Sequence, residues 1–183
     1  KEGDVIEVFD GEGRFATCKI IEKSKKSIEA KRIGELKFNT PPKRLLETII
    51  PVIKKNNFNF MIQKLAEIGA NKFIVYKPDY VDQSVAKKDI SRMINKSLEI
   101  LINVSKQCGN NFLPEVLESN SLEEAITMTD NTSEIYSFDT EATEYFNQEG
   151  LGENSSITII TGPESGFSDK ELKPFAVEWD KES

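Results

Sequence analysis

After residue 44 the sequence alternates between short apolar runs rich in β-branched residues and longer segments with helical periodicity. The predicted strands are 45–53, 72–76, 135–138 and 157–161, and the predicted helices are 58–68, 90–108 and 141–148, with two more that begin at Ser121 and Ser168. Strands separated by helices pair in parallel, because each helical crossover returns the chain to the same end of the sheet. We therefore predict an α/β fold in which a mostly parallel sheet is covered by helices.

The ends of the predicted helices carry their own signals. Gly69 and Gly109 each follow a helical stripe, where a glycine in the left-handed region commonly ends a helix. Ser121 and Ser168 are each followed three residues later by a glutamate, which is the spacing of a capping box. These residues therefore mark where two helices end and where two others begin.

The first 40 residues have a different pattern, which predicts an antiparallel β meander. The apolar runs 5–8, 15–21 and 27–33 are separated by DGEG (10–13) and SKK (24–26), both typical of tight turns. Pro41-Pro42 blocks helix and sheet continuation, so we predict two domains, 1–40 and 41–183. Because the first strand begins so close to Lys1, we expect part of the N-terminal domain to be missing upstream.

The composition excludes several kinds of catalytic site. The chain has no histidine, which removes histidine general bases, Ser-His-Asp triads and the usual zinc sites. Cys18 and Cys108 lie far apart without zinc or redox spacing. No run approaches the ~20 apolar residues of a membrane helix, and no signal peptide precedes Lys1. We therefore expect a reduced, cytoplasmic setting.

The charge is distributed unevenly along the chain, although the net charge is only −7. The formal charge is +1 over 1–40, +6 over 41–110 and −14 over 111–183. A basic middle beside an acidic C-terminal third is compatible with a polyanion such as RNA that binds on one face. Two ordinary solvated surfaces of opposite sign would give the same pattern, so the sequence leaves both interpretations open.

The loop 161–167 follows the last predicted strand and leads directly into a predicted helix. In an open parallel sheet, ligands bind beyond the carboxyl ends of the strands, which is the position of this loop. Gly162 and Gly166 allow backbone conformations that other residues resist, and Pro163 fixes its own φ, so main-chain groups are available to grip an adenine edge. By local chemistry alone, a tight strand–helix connection is the stronger interpretation. The spacing matches neither a P-loop nor a GxGxxG loop.

Three motifs, which follow one another along the chain, favour a ligand site at the loop 161–167 over a simple strand–helix connection. They are QKLAEIG (63–69), KQCGNNFLP (106–114) and GPESGFS (162–168) with Glu171. Together they resemble the RsmE family, the 16S ribosomal RNA uracil-N3 methyltransferases of the knotted SPOUT superfamily. The resemblance spans the whole chain, and the first 40 residues resemble the family's small PUA-like β-barrel.

The resemblance implies a homodimer that binds S-adenosyl-L-methionine in a trefoil-knot cleft and methylates N3 of one uridine in the 16S rRNA of the small ribosomal subunit. No metal is implied. Carried over by position, the cofactor-binding candidates are Thr161, Gly162, Pro163, Glu164 and Gly166, with Phe138 and Asp139 at the end of the preceding strand as further candidates. Lys64, Glu67 and Gln107 match family motif positions and are substrate or RNA candidates. A helix-surface ion pair worth about 0.3–0.5 kcal/mol is the alternative for Lys64 and Glu67.

The implied reaction suits a protein without histidine. Methyl transfer from a sulfonium is an in-line displacement, which depends mainly on positioning in a cleft that solvates the cation poorly. Uracil N3 must lose its proton before or during attack, and either a nearby cation or a carboxylate base would help. The target base must also be reachable, so an unpaired or extruded uridine is expected.

The sequence departs from the family pattern at three motif positions. Ser165 replaces the first glycine of a Gly-Gly pair, where a positive φ would cost on the order of 1 kcal/mol and a side chain would crowd the ligand. Lys106 and Asn110 replace a glutamate and an arginine, which removes an ion-pair partner and a phosphate contact. A degenerate RNA-binding or ribosome-assembly module of the same fold is therefore an alternative function. An α/β protein that binds another adenine-containing ligand is a third interpretation.

The final stretch, ELKPFAVEWDKES, contains nothing that matches the family's knot-closing segment. Pro174 also predicts an early end to the last helix. We therefore expect the 183 residues to be a trimmed or partly observed chain, and we expect methyltransferase activity only from a longer one.

Overall fold

The computed structural model describes residues 1–81, 89–138 and 156–173. The chain forms two compact units, of which the first contains Lys1–Pro42 and Ser105–Leu113 and the second contains Lys43–Val104 and Pro114–Ser183. The first unit thus includes a stretch from far along the sequence. None of the helices in the described ranges combines the length and the apolar composition that a membrane span requires.

The N-terminal unit contains a four-stranded antiparallel sheet. Its strands are β1 (Val5–Phe9), β2 (Arg14–Lys23), β3 (Ile28–Arg32) and β4 (Lys37–Phe38). The long strand β2 is central and pairs with each of the other three. Its alternate side chains Ala16, Cys18 and Ile20 are buried, as the two-residue period of a strand requires. The predicted meander is confirmed, and only the two-residue strand β4 was missed, because two residues show no period.

The stretch 105–113 is hydrogen-bonded to the turn between β1 and β2. The Gly13 amide donates to the Asn111 carbonyl oxygen at 3.0 Å, and the Leu113 amide donates to the Gly11 carbonyl oxygen at 2.9 Å. The Asn111 side chain also donates to Asn39 Oδ1 at 3.2 Å. The second sequence motif therefore contributes backbone pairing to the N-terminal unit.

The second unit is built on a five-stranded parallel sheet with the strand order β7-β6-β5-β9-β8. Its elements are β5 (Leu46–Pro51), α1 (Lys55–Glu67), β6 (Lys72–Tyr76), α2 (Ile90–Cys108), β7 (Glu115–Ser119), α3 (Leu122–Thr127), β8 (Glu134–Ser137), β9 (Ile157–Ile160) and α4 (Asp169–Leu172). The last turn of α2, from Ser105 onward, belongs to the first unit. The prediction of a mostly parallel α/β sheet is confirmed.

The sheet of the second unit is apolar on both faces. Ile50 and Val75 pack on one face in a buried cluster that includes Phe58 of α1 and Leu101 of α2. The intervening residues of the same strands contribute to a second buried cluster, composed of Ile49, Ile74, Tyr76, Leu122, Ala125 and Ile160. A parallel sheet needs helices on both faces for this reason, and the continuous apolar runs of β5 and β6 already indicate it.

The helix signals in the sequence are mostly confirmed. Gly69 has φ = 98°, and the Ala70 amide donates to the Leu65 carbonyl oxygen at 3.0 Å, which completes a Schellman motif at the end of α1. The capping box at Ser168 and Glu171 forms in both directions.

Four features of the helices and strands differ from the prediction or lie outside the described residues. At Ser121, the hydroxyl accepts from the Glu124 amide as expected, but the Glu124 carboxylate accepts from the Asn120 amide instead of the Ser121 amide. Helix α1 begins three residues earlier than predicted, because its first turn is polar and lacks periodicity. Strand β7 was missed because an edge strand needs little apolar sequence. The predicted helix 141–148 lies outside the described residues.

A buried ion pair stabilises the amino ends of the strands in the second unit. Glu47 is fully buried, and its Oε1 lies 3.2 Å from Lys72 Nζ on the neighbouring strand. Its Oε2 accepts from Thr158 Oγ1 and from the Asp130 amide, each at 3.0 Å. Because Oε1 has no hydrogen bond of normal geometry in the described structure, its burial is compensated mainly by the lysine charge. One carboxylate thus connects β5, β6, β9 and the turn before β8.

The substitution Gly13→Ala should destabilise the protein by more than Gly3→Ala. Both glycines have positive φ, at 93° and 89°, so each alanine costs about 1 kcal/mol in backbone strain. A Cβ at Gly13 would lie 2.4 Å from the Phe112 ring, whereas a Cβ at Gly3 meets nothing within 4 Å. We expect a further loss of about 1–3 kcal/mol for Gly13→Ala in urea denaturation. Equal losses would contradict the packing of Phe112 on this turn.

Candidate functional site

An open cleft lies in the second unit at the carboxyl ends of β5, β6 and β9. Its volume is about 560 Å³, within the range of small-molecule sites. We call it the strand-end cleft, and its lining residues are Val52, Ile53, Lys54, Asp79, Tyr80, Val81, Pro163, Glu164 and Ser165.

The strand order explains the position of the strand-end cleft. From β5 the chain adds β6 and β7 on one side of the sheet, and it later adds β8 and β9 on the other side. Strands β6, β5 and β9 are therefore neighbours in the sheet, and the loops beyond their carboxyl ends lie side by side and form a crevice. The loop predicted from the sequence forms one wall of this crevice.

The loop after β9 is held by main-chain hydrogen bonds. The Thr161 amide donates to the Ile49 carbonyl oxygen at 3.0 Å, which extends the pairing of β9 with β5 by one residue. The Gly166 amide donates to the Pro163 carbonyl oxygen at 2.9 Å, which closes a β-turn. Gly166 has φ = 78°, so the left-handed conformation that the sequence analysis allowed is used at this position.

Gly162 has a packing reason to be glycine. A Cβ at this position would lie 2.9 Å from the Phe167 ring, which is closer than a side-chain contact allows. The ring therefore lies against the bare backbone of the loop. The steric interpretation of the glycines is correct for Gly162, whereas Gly166 is explained by its backbone conformation.

Glu171 connects the loop after β9 to the segment after β6. It is buried, and its Oε2 accepts from the Ser168 amide at 2.8 Å while its Oε1 accepts from the Asp79 amide at 3.1 Å. In addition, the Ser168 hydroxyl donates to Asp79 Oδ2 at 2.7 Å. The capping box that the sequence predicted therefore has a second function, because it fixes the Asp79 wall of the strand-end cleft.

Ser165 makes a further connection between the same two walls. Its hydroxyl donates to the Tyr80 carbonyl oxygen at 2.9 Å. The side chain expected to crowd a ligand is therefore engaged with the segment after β6. The serine that departs from the family pattern thus supplies a hydrogen bond that a glycine lacks.

Among the described residues that line the cleft, the charged groups are the two carboxylates of Asp79 and Glu164 and the ammonium of Lys54. Glu164 Oε1 accepts from Asn57 Nδ2 at 2.9 Å, and its Oε2 lies 4.0 Å from Lys54 Nζ. The Lys54 and Glu164 side chains are each 60% exposed, so water screens this long ion pair and it contributes little.

Beneath the loop, Tyr76 is fully buried, and its hydroxyl lies 3.5 Å from the Thr161 carbonyl oxygen. Its burial, together with the carboxylates of Glu171 and Asp79, raises the pKa of Tyr76. The phenol therefore stays neutral and available as a donor near neutral pH.

The predicted cofactor residues divide into two groups. Pro163 and Glu164 line the cleft, whereas Thr161, Gly162 and Gly166 shape the loop behind them. Phe138 follows β8 at the sheet edge, is 58% exposed and is not among the described residues that line the cleft. Asp139 lies outside the described residues.

The predicted substrate residues lie on helix surfaces. Lys64 Nζ is 2.7 Å from Glu67 Oε2 and lies over the Phe60 ring at 5.8 Å from its centroid. Gln63 Nε2 donates to the other Glu67 oxygen at 2.9 Å. The helix-surface ion pair foreseen as the alternative is therefore present. Gln107 is exposed on the last turn of α2.

The other departures from the family pattern lie at the end of α2. The Asn110 side chain accepts from the Phe112 amide at 3.0 Å, so it stabilises the local turn. Lys106 is exposed on the same last turn as Gln107.

Sequence reasoning missed six of the residues that line the cleft, namely Val52, Ile53, Lys54, Asp79, Tyr80 and Val81. They follow β5 and β6 directly, so the rule that ligands bind at carboxyl ends would have nominated them once the order of the strands was known. The sequence does not state that order. Across the described ranges there is no group of three or more residues suited to hold a metal ion.

Glu171→Gln should destabilise the protein more than Glu164→Gln. A glutamine has one acceptor oxygen and therefore leaves one of the two amides, of Ser168 or Asp79, facing an NH₂ group. We expect a loss of about 1–3 kcal/mol in urea denaturation for Glu171→Gln. The exposed Glu164→Gln, on the same loop, should change stability by less than about 0.5 kcal/mol. Matching losses would show that Glu171 does not connect the two walls.

Lys64→Met should raise the pKa of Glu67. Hydrogen bonds from Lys64 first, and then from Gln63, lower the pKa of this carboxyl below its ordinary value. A lowered carboxyl pKa stabilises the fold above the ordinary pKa, and that stabilisation is lost as the pH falls through the folded-state pKa. The stabilisation should shrink in Lys64→Met, and NMR titration should show the Glu67 pKa moving toward its ordinary value. Lys55→Met on the first turn of α1 is the control and should leave it unchanged.

The comparisons with known proteins agree on one family. Residues 40–178 match the model of the RNA methyltransferase domain, and residues 1–31 match the model of the RNA methyltransferase PUA domain. The chain is 26% identical over 175 residues to the ribosomal RNA small subunit methyltransferase E of Mesomycoplasma hyopneumoniae (strain 232), which covers 94% of this chain and 73% of that protein.

Solved structures of similar proteins have the same fold. A predicted RNA methyltransferase from Thermotoga maritima has a TM-score of 0.75 and 28% identity, over 95% of this chain and 73% of its own. The ribosomal RNA small subunit methyltransferase E of Neisseria gonorrhoeae, which is bound to S-adenosyl methionine, has a TM-score of 0.77 and 19% identity, over 94% of this chain and 71% of its own. The likeness to the Neisseria structure concerns the fold alone.

Proposed function

The chain belongs to the RNA methyltransferase domain family, and we propose that it transfers a methyl group from S-adenosyl-L-methionine to N3 of one uridine in the 16S rRNA of the small ribosomal subunit. In this proposal residues 1–40 bind RNA and residues 41–183 carry out the reaction. The observation that carries it is the strand-end cleft, which lies at the carboxyl ends of three neighbouring parallel strands and is walled in part by the loop of the third motif, GPESGFS (162–168).

The relatives support the choice of substrate and cofactor. The Mesomycoplasma relative is named as a methyltransferase of small-subunit ribosomal RNA, and the Neisseria relative holds S-adenosyl methionine. The three motifs resemble the family whose members methylate uracil N3. The reaction proposed here joins these three points.

The cleft residues fit S-adenosyl-L-methionine. A volume of about 560 Å³ is sufficient for a ligand of this size class. The carboxylates of Asp79 and Glu164 can accept from ribose hydroxyls or from an ammonium group, and they favour a cation electrostatically. The closed turn from Pro163 to Gly166 presents main-chain groups at a fixed position. The bound cofactor would supply a methyl group on a positively charged sulfur.

The protein's part in the reaction is mainly positional. The hydrogen bonds of Glu171 and Ser165 fix the two walls of the cleft relative to each other. A preset cleft holds two reactants in line and removes the entropic cost of bringing them together. The partly exposed apolar residues Ile53 and Val81 offer surface to a flat nucleobase.

We also propose that the protein works as a homodimer in the cytoplasm, with a trefoil knot in its C-terminal domain. The resemblance to the RsmE family supports the knot and the dimer. The two cysteines are both free thiols in the structure, which is compatible with a reducing compartment.

The alternative is an RNA-binding module of the same fold that has lost catalysis. One observation favours it. The Asn110 side chain, which stands where the family pattern has an arginine, accepts a hydrogen bond from the nearby Phe112 amide. If this alternative is correct, the protein will bind small subunits whose target uridine it leaves unmodified.

The test combines cofactor binding with a matched pair of variants of the full natural protein. Gly166→Ala and Gly69→Ala each place a methyl group at a positive φ in open space, so their backbone strain is alike. Only Gly166 lies in the cleft loop, so S-adenosylhomocysteine should bind about tenfold more weakly to Gly166→Ala in calorimetry, and as well as before to Gly69→Ala. The parent protein should then form N3-methyluridine in small subunits that lack it, as judged by mass spectrometry. Absence of binding and of product would refute the proposal.

A further inference from the structure

We propose that Lys54 is a catalytic residue, whose ammonium group stabilises the negative charge that develops on the uracil ring when N3 loses its proton. The inference rests on the proposed function and deepens it by naming the group that activates the nucleobase. It also assigns the wall of the strand-end cleft that follows β5 to the base, while the loop after β9 is left to the cofactor.

Uracil N3 is a poor nucleophile as long as it carries its proton, because its electron pair is delocalised into the two neighbouring carbonyl groups. Loss of the proton leaves one negative charge shared between N3, O2 and O4. A cation placed beside that edge favours the charged form and lowers the barrier to its methylation. A site for this reaction therefore needs a positive group within reach of the base.

Lys54 is the one cationic side chain among the described residues that line the strand-end cleft. It lies between the end of β5 and the start of α1, so its Cα is held by both elements. Ile53 precedes it in the same wall, is only partly buried and provides apolar surface for the ring. The position thus combines a flat apolar contact with a positive charge at its edge.

The charge of Lys54 is only weakly engaged in the structure. In the described part of the chain it pairs only with Glu164, whose Oε2 is 4.0 Å away, and both side chains are 60% exposed. The other Glu164 oxygen already accepts from Asn57 at 2.9 Å. Helix α1 has no acidic residue in its first turn. The ammonium group can therefore turn from Glu164 toward a bound base at little cost.

The neighbouring charged groups are less suitable. Lys64 is already paired with Glu67 at 2.7 Å and does not line the cleft. Asp79 lines the cleft, but its Oδ2 accepts from the Ser168 hydroxyl and its amide is bound to Glu171. Asp79 therefore stabilises the cleft wall, and Lys54 is the charged group that is available to act on the bound base.

The proposed step balances without another reagent. The N3–H bond breaks and the proton passes to water in the open cleft, which leaves its electron pair on N3. This electron pair forms the new N3–CH₃ bond as the S–CH₃ bond breaks. The electrons of the broken bond stay on sulfur, which becomes the neutral thioether of S-adenosylhomocysteine. Lys54 stays protonated throughout and acts by its charge.

The test is the pH dependence of single-turnover methyl transfer by the full natural protein to small subunits that lack the modification. The rate of the parent protein should rise with pH and level off as bound uracil ionises. For Lys54→Met we expect the apparent pKa of this profile to rise by about one unit or more, and the rate at pH 7 to fall at least about tenfold. Lys54→Arg keeps the charge and should retain at least about a third of the rate.

Lys55→Met is the matched control, since it removes the same charge from the adjacent residue, which does not line the cleft. It should alter the KM for small subunits at most and leave the pH profile in place. S-adenosylhomocysteine binding to Lys54→Met should stay within about threefold of the parent, which shows that the variant is folded.

The outcomes separate the two proposals. An active parent protein whose Lys54→Met variant keeps the parental pH profile would overturn the role of Lys54 alone. The same conclusion follows if Lys54→Met and Lys55→Met differ from the parent only in KM, because both would then be phosphate contacts. A parent protein that binds no S-adenosylhomocysteine and methylates nothing would overturn the proposed function, and the role of Lys54 with it.

Discussion

The buried carboxylate of Glu171 is the interaction on which the candidate site depends. One oxygen accepts from the Ser168 amide at the start of α4, and the other accepts from the Asp79 amide beyond β6. The bond to Asp79 joins two segments that are distant in sequence, and Ser165 adds a further hydrogen bond between them. Because a buried carboxylate oxygen that loses its hydrogen bond is costly, the two walls separate only with the loss of a charged hydrogen bond. The strand-end cleft is consequently a preset shape.

The opposite end of the sheet is stabilised by a comparable arrangement. Glu47 bonds across β5 and β9 and forms an ion pair with Lys72 of β6. These two carboxylates lie at opposite ends of the strands. Between them the sheet is apolar, and its middle residues are buried on both faces. The polar contacts at the two ends therefore connect neighbouring elements, while the apolar middle of the sheet supplies most of the burial. The loops beyond the carboxyl ends of the strands lie outside this apolar middle and can present functional groups to a ligand.

Much of the fold could be predicted from particular residues. Gly69 and the Ser168–Glu171 pair marked helix ends correctly, because these signals depend on local backbone geometry. The first turn of α1 and strand β7 were missed, since neither shows an apolar period and both are held by their neighbours. In the candidate site, Pro163 and Glu164 were found through their motif, whereas Lys54 and Asp79 were not. They belong to other loops, and their proximity follows from the order of strands.

The sequence by itself determined the class of fold, the helix ends and the family, because periodicity, capping residues and motifs are properties of short stretches of chain. Only the tertiary structure decided the function of each polar side chain in those stretches. Ser165 proved to bind the Tyr80 carbonyl oxygen, and Lys64 proved to be paired on its own helix. The physical reason is that a hydrogen bond or an ion pair acts over a few ångströms. Whether two residues separated by 92 positions, such as Asp79 and Glu171, come within that distance is decided by the order in which the strands assemble.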